Sequence, residues 1–149
     1  MKARYNIIVS NKGEKLMSTR SLIGKLNEDG SVDYVYCHSD GYLAGVGKTL
    51  VDFYGKSNID RLLALGDLSY LGNNPVSKPE LWRELDLSGE YSRSYRDRGD
   101  QGAEAKEAAS REDFVDKAEG AAAEYAYLLT GSGWEYFEIY GGRDWKKLG

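Results

Sequence analysis

The stretch VDYVYCHSDGYLAGVGKT, residues 32–49, decides how the fold is read. It ends in Gly47-Lys48-Thr49, the ending of a phosphate-binding loop. A strand, loop and helix of that kind would make the chain a nucleotide enzyme built on a parallel sheet. The spacing argues otherwise. Such a loop needs a glycine, four residues and then Gly-Lys-Ser/Thr, because its backbone amides curl around the phosphates while the lysine reaches them. Tyr42 stands where the first glycine belongs, and Gly41 is one position too early. The strand before it also has the wrong character. Val32, Tyr34, Tyr36 and His38 share one face and Asp33, Val35 and Cys37 the other, whereas a central parallel strand is nearly all apolar. No apolar strand ending in a magnesium-binding aspartate follows, since Asp67 comes after LLALG, a helix end. The glycines of 41–47 are then the entry to a helix, where they permit close approach.

Upstream, Thr19–Leu26 reads as a strand, and Asn27-Glu28-Asp29-Gly30 is a hairpin turn into Val32–His38. Arg4–Ser10 reads as a further short strand. Residues 1–16 form either this packed strand or an optional leader, because Met17 begins MSTRSLIGKL, which looks like a natural start. Residues 17–149 form one α+β domain.

Downstream, Val46, Leu50, Phe53 and Tyr54 recur at helical spacing, which predicts a helix over about 44–54. Ser57 followed by Asp60 predicts a second helix start, with Ile59, Leu62 and Leu63 as its buried stripe and Gly66 as its stop. Residues 72–90 are loop-rich, with Pro75, Pro79 and a short turn around Leu81–Leu85. Tyr91–Arg96 reads as a strand and 98–102 as a polar turn. Part of 103–109 is a strand, and Ser110-Arg111-Glu112-Asp113 opens a helix over 111–118. Glu124–Thr130 and Trp134–Tyr140 form a hairpin around Gly131-Ser132-Gly133, and Trp145 in the tail caps the sheet. The expected fold is α+β, a mainly antiparallel sheet of five to six strands with two to three helices packed on it.

Composition narrows the function. Net charge is −4, so the basic footprint of a general nucleic-acid binder is missing. The 12 tyrosines, against three Phe and three Trp, suit a half-exposed sheet or a contact surface, since tyrosine packs as an aromatic and keeps a polar tip. Cys37 is the only cysteine, which allows no internal disulfide and fits a reducing compartment. No apolar run approaches membrane-spanning length. A cytoplasmic protein is expected. No cofactor is expected, and one His with dispersed carboxylates gives no metal-ligand spacing.

Two turns hold candidate functional residues. His38-Ser39-Asp40-Gly41-Tyr42 lies between strand and helix and contains the only histidine. His38 can act there as a general base oriented by Asp40, or simply contact a ligand together with Tyr42. The plain alternative is a turn in which Asp40 caps the next segment and Gly41 takes a positive φ. In the second turn, Tyr91, Arg93 and Tyr95 alternate with Ser92, Ser94 and Arg96, followed by Arg98. Arginine interleaved with tyrosine can hold an anion or a stacked base. Asp97 and Asp100 offset that charge, so an edge strand with local ion pairs is the plain alternative. Arg98-Gly99-Asp100 matches an adhesion tripeptide by chance, since nothing else here is extracellular.

The motifs MSTRSLIG, YVYCHSDGY, NIDRLLALGDLSYLG, YRDRGD and EYAYLLT with WEYF, in this order, resemble a family of small, mostly uncharacterised bacteriophage and prophage proteins. The resemblance covers nearly the whole chain from Met17 and places His38, Asp40, Gly41 and Tyr42 in one motif and Arg96, Asp97, Arg98 and Gly99 in another. In the family layout an aromatic often stands at Ser39 and a proline at Leu43, a departure that bears on what this turn contacts. The resemblance implies a phage accessory protein that binds rather than turns over, as a monomer or homo-oligomer. Its expected role is counter-defence: inhibiting a host immune protein such as a CRISPR effector, or sequestering a nucleotide immune signal. The alternative is a small nucleotide- or phosphoester-processing enzyme with His38 as base and Arg96 or Arg98 stabilising developing charge.

Overall fold

The structure is a computed structural model that describes residues 18–82 and 88–149. The strand expected at Arg4–Ser10, the leader boundary and the turn expected beyond Trp82 lie outside the described residues.

The turn chemistry at 27–30 joins β1 (Ser21–Leu26) to β2 (Val32–Cys37) as an antiparallel hairpin, with Ser21 opposite Cys37 and Leu26 opposite Val32. The chain then enters a π-turn over Leu43–Gly47 that runs into α1 (Lys48–Phe53). α2 (Ile59–Ala64) follows. Ser57 does not cap it. Asn58 precedes its first residue and turns back instead, accepting from Gly55 N–H at 2.9 Å and donating to Phe53 O at 2.9 Å. Gly66, at φ +78°, stops the helix and leads into β3 (Leu68–Tyr70).

Tyr91–Arg96 is not the single strand expected. Only Arg93–Ser94 is strand, β4, and Tyr95–Arg98 curls into a 3₁₀ turn. The cause is local: Ser94 Oγ accepts the Asp97 N–H at 3.3 Å and starts the turn in the manner of a helix cap. β5 (Lys106–Ala108) and α3 (Arg111–Gly120) follow. At the start of α3, Ser110 Oγ accepts from Asp113 N–H at 3.0 Å and Asp113 Oδ2 accepts from Ala109 N–H at 2.9 Å. β6 (Tyr125–Thr130) and β7 (Gly133–Glu138) are the expected hairpin. Trp145–Lys147 goes beyond capping the sheet and adds a strand, β8.

The fold is α+β, and the described residues form an eight-stranded sheet ordered β4-β3-β2-β1-β6-β7-β8, with β5 also on β2. The count exceeds the expected five to six because β3 and β8, each three residues long, are too short to show an alternation in the sequence. Among the described residues five strand pairings are antiparallel and two are parallel, β1 with β6 and β2 with β3.

Alternation along the central strands feeds two cores. Ile23, Val35, Cys37, Tyr127 and Trp134 meet Leu50 of α1 and Ile59 and Leu62 of α2 on one face. Leu22, Val32, Tyr34, Ala126 and Leu128 meet Phe114, Val115 and Ala118 of α3 on the other. Phe114 is fully buried, worth about 2–3 kcal/mol of apolar transfer. It rests directly on β1 because residue 24 is glycine: a Cβ there would lie 2.9 Å from the Phe114 ring and 2.7 Å from Val32 Cγ1. Among the described residues no helix is long and apolar enough to cross a membrane.

Candidate functional site

β2 carries Tyr36 and then His38 to its open end on the α3 side of the sheet. Neither β5, which pairs with Val32–Tyr34, nor β3, which pairs with Cys37, supplies an acceptor for the Tyr36 amide. Asp67 fills the gap, its Oδ1 accepting from Tyr36 N–H at 2.9 Å. The same residue accepts Tyr95 N–H on its carbonyl at 3.1 Å, donates its own N–H to Ala103 O at 2.7 Å, and receives Lys106 Nζ on Oδ2 at 3.3 Å. One aspartate therefore fastens β2, the 95–98 turn and the 103–106 segment around a common point. His38 N–H, bonded to Leu68 O at 2.9 Å, holds the rim.

This arrangement encloses an open depression of about 390 Å³, lined by Tyr36, His38, Asp67, Tyr95, Arg98 and Asp100 together with residues 101–103. The two turns singled out in the sequence thus meet, through His38 on one side and Tyr95 and Arg98 on the other. Tyr36 Oη lies 2.7 Å from His38 Nδ1. Burial, and secondarily the charge of Arg20, lowers the His38 pKa below its ordinary value, which keeps the ring neutral at pH 7. Burial raises the pKa of Tyr36 and Tyr95, so both hydroxyls stay protonated and can donate.

Arg98 forms a two-pronged pair with Asp100, Nε to Oδ1 at 2.8 Å and Nη2 to Oδ2 at 2.6 Å. These bonds hold the Asp100 carboxyl below the usual carboxylate range. The Arg98 guanidinium also stacks at 4.9 Å from the Tyr95 ring and 5.0 Å from the Trp82 ring. Trp82 is fixed in turn by its indole N–H, which donates to Ser94 O at 3.0 Å.

The remaining candidates sit elsewhere. Asp40 does not reach His38. It adopts φ +57°, its carbonyl accepts Val46 N–H at 2.8 Å, and its Oδ1 accepts the Tyr42 hydroxyl at 3.4 Å. Tyr42 is 43% exposed. Arg96 lines a neighbouring depression and donates to Ala64 O at 2.8 Å. Arg93 lies 5.5 Å over Trp82, and Tyr91, bridged to Asn74, carries Lys78 Nζ at 4.6 Å over its ring. Lys48, the lysine of the apparent phosphate loop, is exposed in α1 and pairs with Asp52 at 2.7 Å.

Tyr36, Asp67, Trp82 and Asp100 were missed. Tyr36 had a signal, since a residue two before His38 shares its strand face. Asp67 had none, because its role depends on where three distant segments meet.

As for chemistry, the Nδ1 partner of His38 is a tyrosine hydroxyl and not a carboxylate. Among the described residues no three His, Cys, Asp or Glu side chains group closely enough to hold a metal ion. What the arrangement offers is one stacked guanidinium, two tyrosine hydroxyls, a neutral imidazole and the carboxylates of Asp67 and Asp100 around a space suited to a small ligand. No protein-family model, curated protein or solved structure matches the chain.

Proposed function

We propose that this is a phage-type accessory binding protein that works against host defence in the cytoplasm of a bacterial host, without turnover. It engages a small nucleotide immune signal or a host defence protein such as a CRISPR effector. The observation that carries the reading is the meeting of His38 with Tyr95 and Arg98 around one depression of about 390 Å³. That size falls within the range of small-ligand sites, and Tyr and Arg are the residues that dominate contact energies. The His38 ring has a hydroxyl partner instead of an orienting carboxylate, which favours contact over proton transfer. The resemblance to phage proteins supplies the biological setting.

The test is nucleotide capture. The protein is incubated with labelled nucleotides, recovered and then denatured. Unchanged nucleotide released only on denaturation supports sequestration, and His38→Ala should weaken that capture without abolishing it. Product formed by the native protein, and lost in His38→Ala, overturns the reading in favour of a phosphoester-processing enzyme. Capture of no nucleotide excludes the signal and directs the reading to a defence protein, sought by affinity capture from host lysate with Arg98→Ala as the control.

A further inference from the structure

We propose that Asp100 is a built-in placeholder for a phosphoryl group, and that ligand binding at this site proceeds by exchange of the Asp100 carboxylate for two phosphate oxygens on Arg98. The inference rests on the depression being the ligand site.

Three observations carry it. First, the pair has the geometry of ligand recognition. Arg98 meets Asp100 through Nε and Nη2 at 2.8 and 2.6 Å, the paired donor edge with which arginine also grips two oxygens of a phosphate. Second, the guanidinium has contacts besides Asp100. Tyr95 and Trp82 hold it at 4.9 and 5.0 Å from their ring centres, so its donor edge stays presented when the carboxylate leaves. Third, Asp100 has somewhere to go. It stands on the ridge between two depressions, lining one with Arg98 and the other with Arg96. Released from Arg98, the carboxylate has room in the depression that it shares with Arg96.

Both partners are substantially exposed, at 50% for Arg98 and 35% for Asp100. An ion pair in that setting contributes little net stability, so exchanging its anion disturbs the fold little. Gly99, between them at φ +102°, sets the short loop that brings position 100 back onto position 98. With Asp100 in place the site presents no net charge from this pair. The consequence is selectivity: an incoming anion must outcompete a tethered carboxylate, which rejects weak singly charged anions and accepts a doubly charged phosphate.

The experiment is a calorimetric titration of the full chain with inorganic pyrophosphate, a nucleoside monophosphate and the matching nucleoside. Asp100→Asn removes the competing charge and is expected to bind pyrophosphate and the monophosphate about tenfold more tightly than the wild type, a gain that nucleoside binding does not share. Asp100→Ser serves as a second variant with the same expectation. Arg98→Gln, alone or with Asp100→Asn, is expected to lose the phosphate contribution. Equal or weaker pyrophosphate binding by both Asp100 variants overturns the proposal, as does tight binding that survives Arg98→Gln. A wild type that captures no nucleotide, beside an Asp100→Asn variant that gains pyrophosphate, refutes the nucleotide reading of function and leaves the placeholder standing. The reverse pattern refutes the placeholder alone.

Discussion

The hydroxyl of Tyr36 and Nδ1 of His38 lie 2.7 Å apart, two positions along one strand face. The imidazole is partly buried beside this hydroxyl and under the positive charge of Arg20, and both burial and Arg20 disfavour its protonated form. As pH falls, the unfolded chain therefore takes up the proton before the folded one. The stability tied to neutral His38 is fully present above the ordinary value of 6.5 and is lost as pH falls through it toward the lower folded pKa. The unfolding midpoint should decline as pH falls below the ordinary value of 6.5, and His38→Gln should flatten that decline. The carboxyls of Asp29, Asp100 and Asp113 are lowered from 3.8, so their contributions persist until more acidic pH. An identical slope in His38→Gln would show that the ring does not titrate as described.

Gly66 tests the link between α2 and the site. It sits at φ +78°, and a Cβ there would collide with the carbonyl oxygen of Ala103, the segment that crosses it to close the depression. Gly66→Ala should cost about 2 kcal/mol or more by urea denaturation, since strain and collision act together. Gly55→Ala is the control: it meets nothing within 4 Å and has no positive φ. It should change stability by less than about 1 kcal/mol. Equal effects at the two positions would mean that the crossing at Gly66 is not tight.

Tyr127 connects β6 to the turn of the first motif. Its ring is fully buried and its hydroxyl donates to Gly41 O at 2.7 Å. Tyr127→Phe keeps the packing and leaves that carbonyl without its donor, which should cost about 1–3 kcal/mol in denaturant unfolding. The loss should come without a change in the slope of free energy against denaturant. A cost near zero would indicate that Gly41 O finds another donor.

What the sequence disclosed was what short-range chemistry determines. Asn27–Gly30 and Gly131–Gly133 announced hairpins because turn residues act within a few positions, and Ser110 with Asp113 announced α3 for the same reason. Ser94 with Asp97 carries the same signature. It was hidden by the Tyr/Ser alternation around it, which reads as a strand, although the strand ends at Ser94. The parallel pairing of β1 with β6 was not legible, because both strands bury both faces and neither SLIGKL nor YAYLLT encodes its neighbour. The approach of His38 to Arg98 was hidden too, as it is the work of Asp67, a residue that read as a helix end and fastens three segments remote in sequence.

The pairing of β1 with β6 also governs the order of assembly. β1 needs partners on both edges, and the strand that meets Ser21 begins only at Tyr125. The β1–β2 hairpin is a local contact, whereas the other flank of β1 is filled only by β6, far along the chain. Closing so long a loop costs chain entropy, and contacts of such separation slow folding in general. Until β6 is in place that flank of β1 is an unpaired apolar edge, the kind of surface through which incompletely folded chains associate.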